Sequence, residues 1–415
     1  MNAVETPNVE QQRAIEERGV VFVSAGAGTG KTTVIVERFC KAVCERGLDV
    51  DSLLVITYTE RAAGELRGRI RKRLHELGRH DLERELDGAW ISTIHGFCHR
   101  LLKAHPFAAG IDPRFRVLDD SQGRVLRGEA FRAALEEFCG DDETRLRLLA
   151  SYGGRRLRRM LTGVHETLRS SGLELRIDPR EEPELAERLE ELRGYARAAG
   201  DERAIRYLET SHLPEELLDL SDLASPELDE PRRAVEAAAL EALAARDQEQ
   251  LQELLLAYDA AYREARDRDS ALDFEDLQLL ARELLRDHPE IRERESWRFR
   301  SIMVDEFQDT NRLQTELLDL LSEGTGGDLF VVGDEFQSIY GFRHADVAVF
   351  RERRAAAETV LQLTLNHRSR PEVLAAVNEL FAAEFGDEFQ RLEPAGGPSP
   401  ALANAFELLV TDKVA

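Results

Sequence analysis

A short apolar run, Val20-Val21-Phe22-Val23, leads directly into Ala25-Gly26-Ala27-Gly28-Thr29-Gly30-Lys31-Thr32. A strand that ends in a glycine-rich turn and opens a helix constrains the fold more than any other stretch of this chain. Val34, Ile35 and Phe39 carry apolar residues onward at helical spacing. Such a turn gathers backbone N–H groups around an anion, and the helix N-terminus adds partial positive charge. Ala25, Gly26, Ala27, Gly28, Thr29 and Gly30 would wrap phosphates, Lys31 would reach the β- and γ-phosphates, and Thr32 would ligate Mg²⁺. Ala25 stands where the strict pattern has its first glycine. A bland glycine-rich turn is the competing reading.

The chain has 415 residues, enough for two to four structural units. Its start, Met1-Asn2-Ala3-Val4-Glu5, has neither a basic segment nor an apolar one, and no apolar run is long enough to span a bilayer. Cysteines 40, 44, 98 and 139 form no Cys-x-x-Cys pair, which argues against a zinc ribbon or a thioredoxin-like site. These features point to a reducing, cytoplasmic setting with no membrane partner. The net charge of −24 would oppose binding to nucleic acid if it were spread evenly. It is not: residues 1–110 hold 16 Lys+Arg against 15 Asp+Glu, leaving 40 against 65 for the remainder. A near-neutral N-terminal block leaves room for a local basic groove.

Apolar runs at 20–24, 53–57, 91–93, 302–305, 329–333 and 360–363 read as strands, separated by amphipathic helical patterns. Strands alternating with helices predict an α/β fold with a parallel sheet. Between 111 and 270 the chain turns rich in Glu, Arg, Leu and Ala without a convincing strand, and reads as a helical insertion. Pro214, Pro226 and Pro231 predict a loop near 211–231, and Phe406 to Thr411 reads as a further strand.

A second chemical signal is Ile302-Met303-Val304-Asp305-Glu306. A buried strand here would deliver two carboxylates at its C-terminal edge, where open α/β sheets bind ligands. Asp305 would hold the Mg²⁺ shell, and Glu306 would orient and deprotonate an attacking water. An exposed strand end with surface acids is the alternative.

With the phosphate loop and the Asp-Glu strand in order, the chain resembles the UvrD/Rep-type superfamily 1 helicases, nearest their RecB/AddA helicase–nuclease branch. The resemblance covers residues 6–112 and 271–381. It implies a RecA-like P-loop NTPase core at 1–110 and 271–357, a helical insertion domain at 111–270, and the start of a second RecA-like domain at 358–415. It also implies an ATP- and Mg²⁺-dependent 3′–5′ translocase acting on single-stranded DNA and single/double-strand junctions, with a nuclease or helicase partner subunit. In Asn8-Val9-Glu10-Gln11-Gln12, the resemblance assigns Gln11 to the adenine edge, where an amide can both donate and accept.

Thr57-Tyr58-Thr59-Glu60-Arg61 is similar to the first DNA motif of that family. Thr57 and Thr59 would bond backbone phosphates and Tyr58 would stack on a base, a core position being the other reading of Tyr58. Ile91-Ser92-Thr93-Ile94-His95-Gly96 follows, with Thr93 and His95 as DNA contacts by resemblance and His95 as a packing residue otherwise. In Gly333-Asp334-Glu335-Phe336-Gln337, Gln337 would sense the γ-phosphate. Further on, Phe342 would stack on a base and Arg343 would bridge the two sites. Phe336 departs from the acidic residue or lysine usual there. In Asn366-His367-Arg368, Arg368 would contact the γ-phosphate and His367 would stack on adenine.

After residue 381 the family continues to two more motifs, one supplying a second arginine, and its RecB/AddA branch ends in a nuclease. None of these follows here, so the chain reads as a truncated motor. The alternative function is a nucleotide- and DNA-binding half without efficient turnover.

Overall fold

The computed structural model describes residues 7–177, 184–211, 213–322, 327–338, 346–386 and 389–396. Phe342, Arg343 and the strand expected over Phe406 to Thr411 lie outside these residues. The chain divides into two compact units, the first holding the described residues within 7–117, 170–172 and 272–396.

The first unit opens with α1 (Val9–Glu16), β1 (Val20–Ala25), α2 (Lys31–Cys44), β2 (Leu53–Thr57), α3 (Glu60–Glu76) and α4 (His80–Glu85). β3 (Trp90–Thr93), α5 (Ile94–Ala104) and the short β4 (Arg116–Val117) complete its first part. The second unit contains α6 (Asp120–Cys139), α7 (Glu143–Tyr152), α8 (Gly154–Ser170), α9 (Leu185–Ala199), α10 (Glu202–Thr210), α11 (Asp229–Arg246) and α12 (Gln248–Arg268). After the two-residue β5 (Ala271–Leu272) come α13 (Phe274–Asp287), α14 (Pro289–Arg298), β6 (Ser301–Val304), α15 (Arg312–Ser322) and β7 (Asp328–Gly333). Then follow α16 (Val347–Ala356), β8 (Thr359–Leu363), β9 (Leu365–Asn366), α17 (Pro371–Phe385) and β10 (Glu393–Pro394).

The six strands legible in the sequence are all present and form one parallel sheet in the order β3-β2-β6-β7-β1-β8. Central strands β2 and β7 are buried along their whole length, as both faces are covered by helices. Side chains alternate between the faces: Val21, Val23, Val55, Phe330 and Val332 join a core with α2 and α3, including Ile35, Phe39, Leu66 and Ile70. Phe22, Leu54, Ile56, Leu329 and Val331 point the other way, toward Phe97, Leu277, Leu284 and Leu317.

Two expectations change. The strand at 360–363, expected to open a second RecA-like domain at 358, is instead the edge strand of the first sheet. It pairs with β1 from Val21↔Thr359 to Ala25↔Leu363. Its exposure alternates, with Val360 and Gln362 outward and Leu361 and Leu363 inward, as one open face requires. The loop expected over 211–231 contains 3₁₀ turns at Pro214–Leu217 and Ser221–Leu223, and α11 begins by Asp229. Pro231 sits in the first turn of that helix, where its missing N–H has no partner to lose.

From α6 to α12 the regular structure of the second unit is helical among its described residues. Its core combines Phe131 and Phe138 of α6 with leucines of α7 to α12, and Tyr258 and Tyr262 stack at 6.0 Å between ring centroids.

Candidate nucleotide site

Because every strand of the main sheet runs the same way, the loops after β1, β2, β3, β6, β7 and β8 emerge at one edge. β7 lies between β1 and β6 in the sheet, so the phosphate-type loop and the Asp-Glu turn flank the end of one strand.

Ala25 is the last, fully buried residue of β1, and its carbonyl accepts from Lys31 Nζ at 3.4 Å. Within the turn, Thr29 Oγ1 donates to Gly26 O at 2.8 Å. Gly28 takes φ +74°, and a Cβ there would lie 2.7 Å from Arg368 Cβ and 2.9 Å from Asn366 Nδ2. Only glycine fits both the left-handed backbone and that close approach. Gly30 caps α2, so Lys31 and Thr32 occupy its first turn. Lys31 is 9% exposed, and its ammonium lies 3.3 Å from Glu306 Oε2.

The two carboxylates behave differently. Asp305 N donates to Ile56 O at 2.8 Å, continuing the sheet, and Asp305 Oδ1 accepts from Glu306 N at 3.0 Å. Glu306 adopts φ +50°, a left-handed conformation rare for a residue with a Cβ. Strain of this kind persists only where the surroundings enforce it, and it aims the Glu306 carboxylate back at Lys31. Burial pushes the Asp305 carboxyl up to about 7, with the Glu306 charge adding to the effect and Lys31 opposing it. Asp309 is raised to about 6 for the same reasons in the same order.

Gln308 is buried, and its amide is fully directed. Nε2 donates to Glu306 Oε2 at 2.9 Å, and Oε1 accepts from Asp334 N at 2.9 Å. A Cβ on Gly333 would collide with that same Oε1, so the glycine before Asp334 makes the contact possible. Asp334 Oδ2 in turn accepts from Gln337 Nε2 at 2.6 Å. A continuous chain of polar contacts thus runs Lys31–Glu306–Gln308–Asp334–Gln337. Phe336 packs on Phe385 and Phe389, with ring centroids at 5.1 and 5.5 Å, which accounts for an aromatic residue at this position.

From β9, Asn366 Nδ2 donates to Ala27 O at 2.5 Å, and His367 N donates to Gly28 O at 2.9 Å. Asn366 Oδ1 accepts from Arg368 N and Ser369 N at 2.8 and 2.7 Å, so the turn that carries Arg368 is fixed to the glycine-rich loop. His367 and Arg368 themselves are exposed.

Several sequence expectations are met by different geometry. Gln11 is buried, with Nε2 donating to Thr29 O at 2.9 Å and Oε1 accepting from Asn8 N at 3.1 Å. It braces the glycine-rich loop from below and presents no open amide edge to a base. Thr57, read as a phosphate contact, is 2% exposed, and its hydroxyl makes no hydrogen bond among the described residues. Thr59 caps α3, accepting from Ala62 N at 3.1 Å, while Tyr58 beside it is half-buried. Thr93 Oγ1 donates to Glu60 Oε1 at 2.7 Å and accepts from Gly96 N at 3.1 Å, capping α5. His95 lies 3.0 Å from Gln278 Nε2 through its own Nε2 and edge-on to Phe274. Burial pushes its pKa down to about 4 against the opposing charge of Glu60, so the ring is neutral near pH 7 and offers no cation to a phosphate.

Gln308, Asp309, Asp334 and Asn366 were not singled out by the sequence. Their signal was present: each is a polar residue directly following a buried apolar strand or its turn.

Residues 7–358 match the UvrD/REP helicase N-terminal domain. An ATP-dependent helicase/nuclease subunit from Syntrophomonas wolfei is 28% identical, over 93% of this chain and 38% of the relative. Proteins of the same name from Carboxydothermus hydrogenoformans and Exiguobacterium sibiricum are each 30% identical, over 90% of this chain and 39% of theirs. The chain spans about two fifths of the length of these relatives.

Proposed function

The chain belongs to the UvrD/REP helicase family, and from that premise we propose that it binds Mg·ATP at the β1–α2 loop and couples hydrolysis to 3′–5′ movement along single-stranded DNA. The observation that carries the proposal is the 3.3 Å approach of Lys31 Nζ to Glu306 Oε2. It brings the phosphate-seeking cation and the water-activating carboxylate together from strands that are not neighbours.

In this reading the loop N–H groups and Lys31 bind the β- and γ-phosphates, and Glu306 exchanges its lysine partner for the attacking water. Thr32 and Asp305 would hold Mg²⁺. An all-oxygen donor set suits that hard ion; burial is the first cause of the raised Asp305 and Asp309 pKa values, and the neighbouring Glu306 charge that adds to it is one a dication would offset. When bound, the ion would offset charge on the phosphates. Arg368, held against the loop through Asn366, would approach the γ-phosphate, and the exposed ring of His367 is available to the base. Gln337 would register the γ-phosphate and pass its loss through Asp334 and Gln308.

The DNA side is proposed to rest on Tyr58, Phe342 and Arg343, with Thr59 and Thr93 capping the helices that follow β2 and β3 and with Thr57 and His95 beside them. The relatives are named as one subunit of an ATP-dependent helicase/nuclease, which supports a partner subunit; action at single/double-strand junctions in DNA repair is part of the proposal. The test is ATP hydrolysis with and without single-stranded DNA, followed by displacement of streptavidin from 3′- or 5′-biotinylated oligonucleotides. Stimulation by DNA and displacement from the 5′ end alone are expected. Hydrolysis indifferent to DNA would contradict the coupling, and displacement from the 3′ end would reverse the polarity.

A further inference from the structure

The elbow between α3 and α4 carries a side-chain cluster that the nucleotide site does not use. α3 ends in a tight turn in which Gly78 N donates to His75 O at 3.0 Å and Arg79 N donates to Leu74 O at 2.9 Å. α4 then starts at His80, with Glu83 N donating to Arg79 O at 3.1 Å. Leu74 and Leu82 anchor the two arms in the core. This braced turn sets His75 from the last turn of α3 against His80 and Glu83, which sit one helical turn apart on α4.

The nitrogen and oxygen atoms of the three groups converge. His75 Nδ1 and His80 Nδ1 each lie 3.3 Å from Glu83 Oε2, and a set of one ligand atom from each residue falls within 4.8 Å. The rings meet at 4.8 Å between centroids and 65° between planes. A distance of 3.3 Å is long for a hydrogen bond to a carboxylate. It matches the edge of a tetrahedron around a dication with N and O ligands at ~2.0–2.1 Å, an edge of about 3.4 Å. Two such edges share the one carboxylate oxygen.

The charges also suit a cation. Glu83 supplies a carboxylate oxygen beside two imidazole nitrogens. Arg79, adjacent in sequence, is engaged by Asp81 through two contacts of 3.1 and 2.8 Å and does not compete for Glu83. The side chains of His75, His80 and Glu83 are 65%, 59% and 26% exposed, so an ion can reach them from solvent.

We propose that His75, His80 and Glu83 bind a divalent transition-metal ion of borderline softness, with zinc as the best match, and that the ion clamps the α3–α4 elbow. Two imidazoles and one carboxylate are a typical zinc donor set that leaves a fourth position for water. The Mg²⁺ that serves a nucleotide prefers oxygen ligands and would not occupy this site. The site lies outside the nucleotide machinery and does not depend on how that machinery is read.

The experiment is a titration of the tag-free 415-residue protein with Co²⁺ as a visible probe, followed by displacement with Zn²⁺. One equivalent of Co²⁺ should give d–d absorption without a thiolate charge-transfer band, and added Zn²⁺ should raise the melting temperature. His80→Gln and Glu83→Gln should each weaken binding by at least ~10-fold, while Mg·ATP binding and the response of Cys44→Ala stay as in the parent protein. The proposal is overturned if ~100 μM Zn²⁺, ample for any specific site of this kind, leaves the melting temperature unchanged. It is equally overturned if a His75→Gln/His80→Gln double variant binds as the parent does, or if a thiolate band appears and is lost in Cys44→Ala.

Discussion

Gln308 Nε2 donates to Glu306 Oε2 at 2.9 Å, while the other end of the same amide accepts from Asp334 N. The carboxylate proposed to activate water is therefore tied to the strand-end loop that precedes Phe342 and Arg343 in the chain. Gln308→Met keeps the volume and removes both bonds. Mg·ATP affinity should stay within a few-fold, while the stimulation of hydrolysis by single-stranded DNA should fall by ~10-fold or more, the size of an ordinary coupling energy. ATPase rates measured against DNA concentration decide this, and unchanged stimulation would remove Gln308 from the coupling path.

Glu306 is held at φ +50° with its carboxylate on Lys31. Glu306→Gln should slow hydrolysis by ~10²–10⁴, the range for losing a general base. ATP should bind at least as well, because the amide no longer competes as an anion for Lys31. Single-turnover hydrolysis and equilibrium binding on the same preparation separate the two effects. Parallel losses in both would make Glu306 a binding residue.

The glycine-rich loop tolerates no side chain at Gly28, where a Cβ would press on Arg368 Cβ and Asn366 Nδ2. Gly28→Ala should lose ~1–2 kcal/mol through its left-handed backbone alone. The larger expected consequence is weakened ATP binding, as the turn carrying Arg368 is pushed off the loop. Calorimetric titration with Mg·ATP, together with a melting curve, checks both parts.

The sheet was legible because each of the six strands carries an apolar run, nearly continuous in the buried β2, β6 and β7 and alternating with polar residues in the edge strand β8. Their spatial order was not legible. β8 reads as a strand, but nothing in Thr359–Leu363 says that it pairs with β1 more than 300 residues away in the chain rather than opening a new sheet. The chemistry at the strand ends was visible for the same reason as the strands: Asp305 and Glu306 directly follow an apolar run, and Lys31 follows one across the glycine-rich turn. What escaped the sequence is the partner each polar group chooses. Gln11 and Thr93 satisfy nearby backbone and side-chain groups, and His95 is half-buried against Gln278 and Phe274. Local motifs do not specify contacts between residues that are distant in sequence. The cluster escaped because the Gly78 turn, not helical spacing, brings His75 to the His80 and Glu83 pair on α4.

His95 sets a pH dependence with a definite sign. Its folded pKa of about 4 lies below the ordinary histidine value of 6.5, because burial disfavours the cation. The unfolded chain therefore takes up a proton before the folded one does. The contribution of His95 to stability is complete above about pH 6.5 and is lost as the pH falls toward about 4, at ~1.4 kcal/mol per unit of pKa difference. Denaturant unfolding across pH 7 to 4 should show a steeper decline for the parent protein than for His95→Asn, which cannot titrate there. Identical slopes would place the acid sensitivity elsewhere.

The central claim is that Lys31, Asp305 and Glu306 serve a single Mg·ATP cluster, and titration calorimetry with ATP tests it most directly. The account predicts one site that needs Mg²⁺ for full affinity, is abolished by Lys31→Ala, is weakened by Asp305→Asn chiefly in its Mg²⁺ dependence, and survives Glu306→Gln. ATP binding that persists unchanged in a folded Lys31→Ala protein would contradict it.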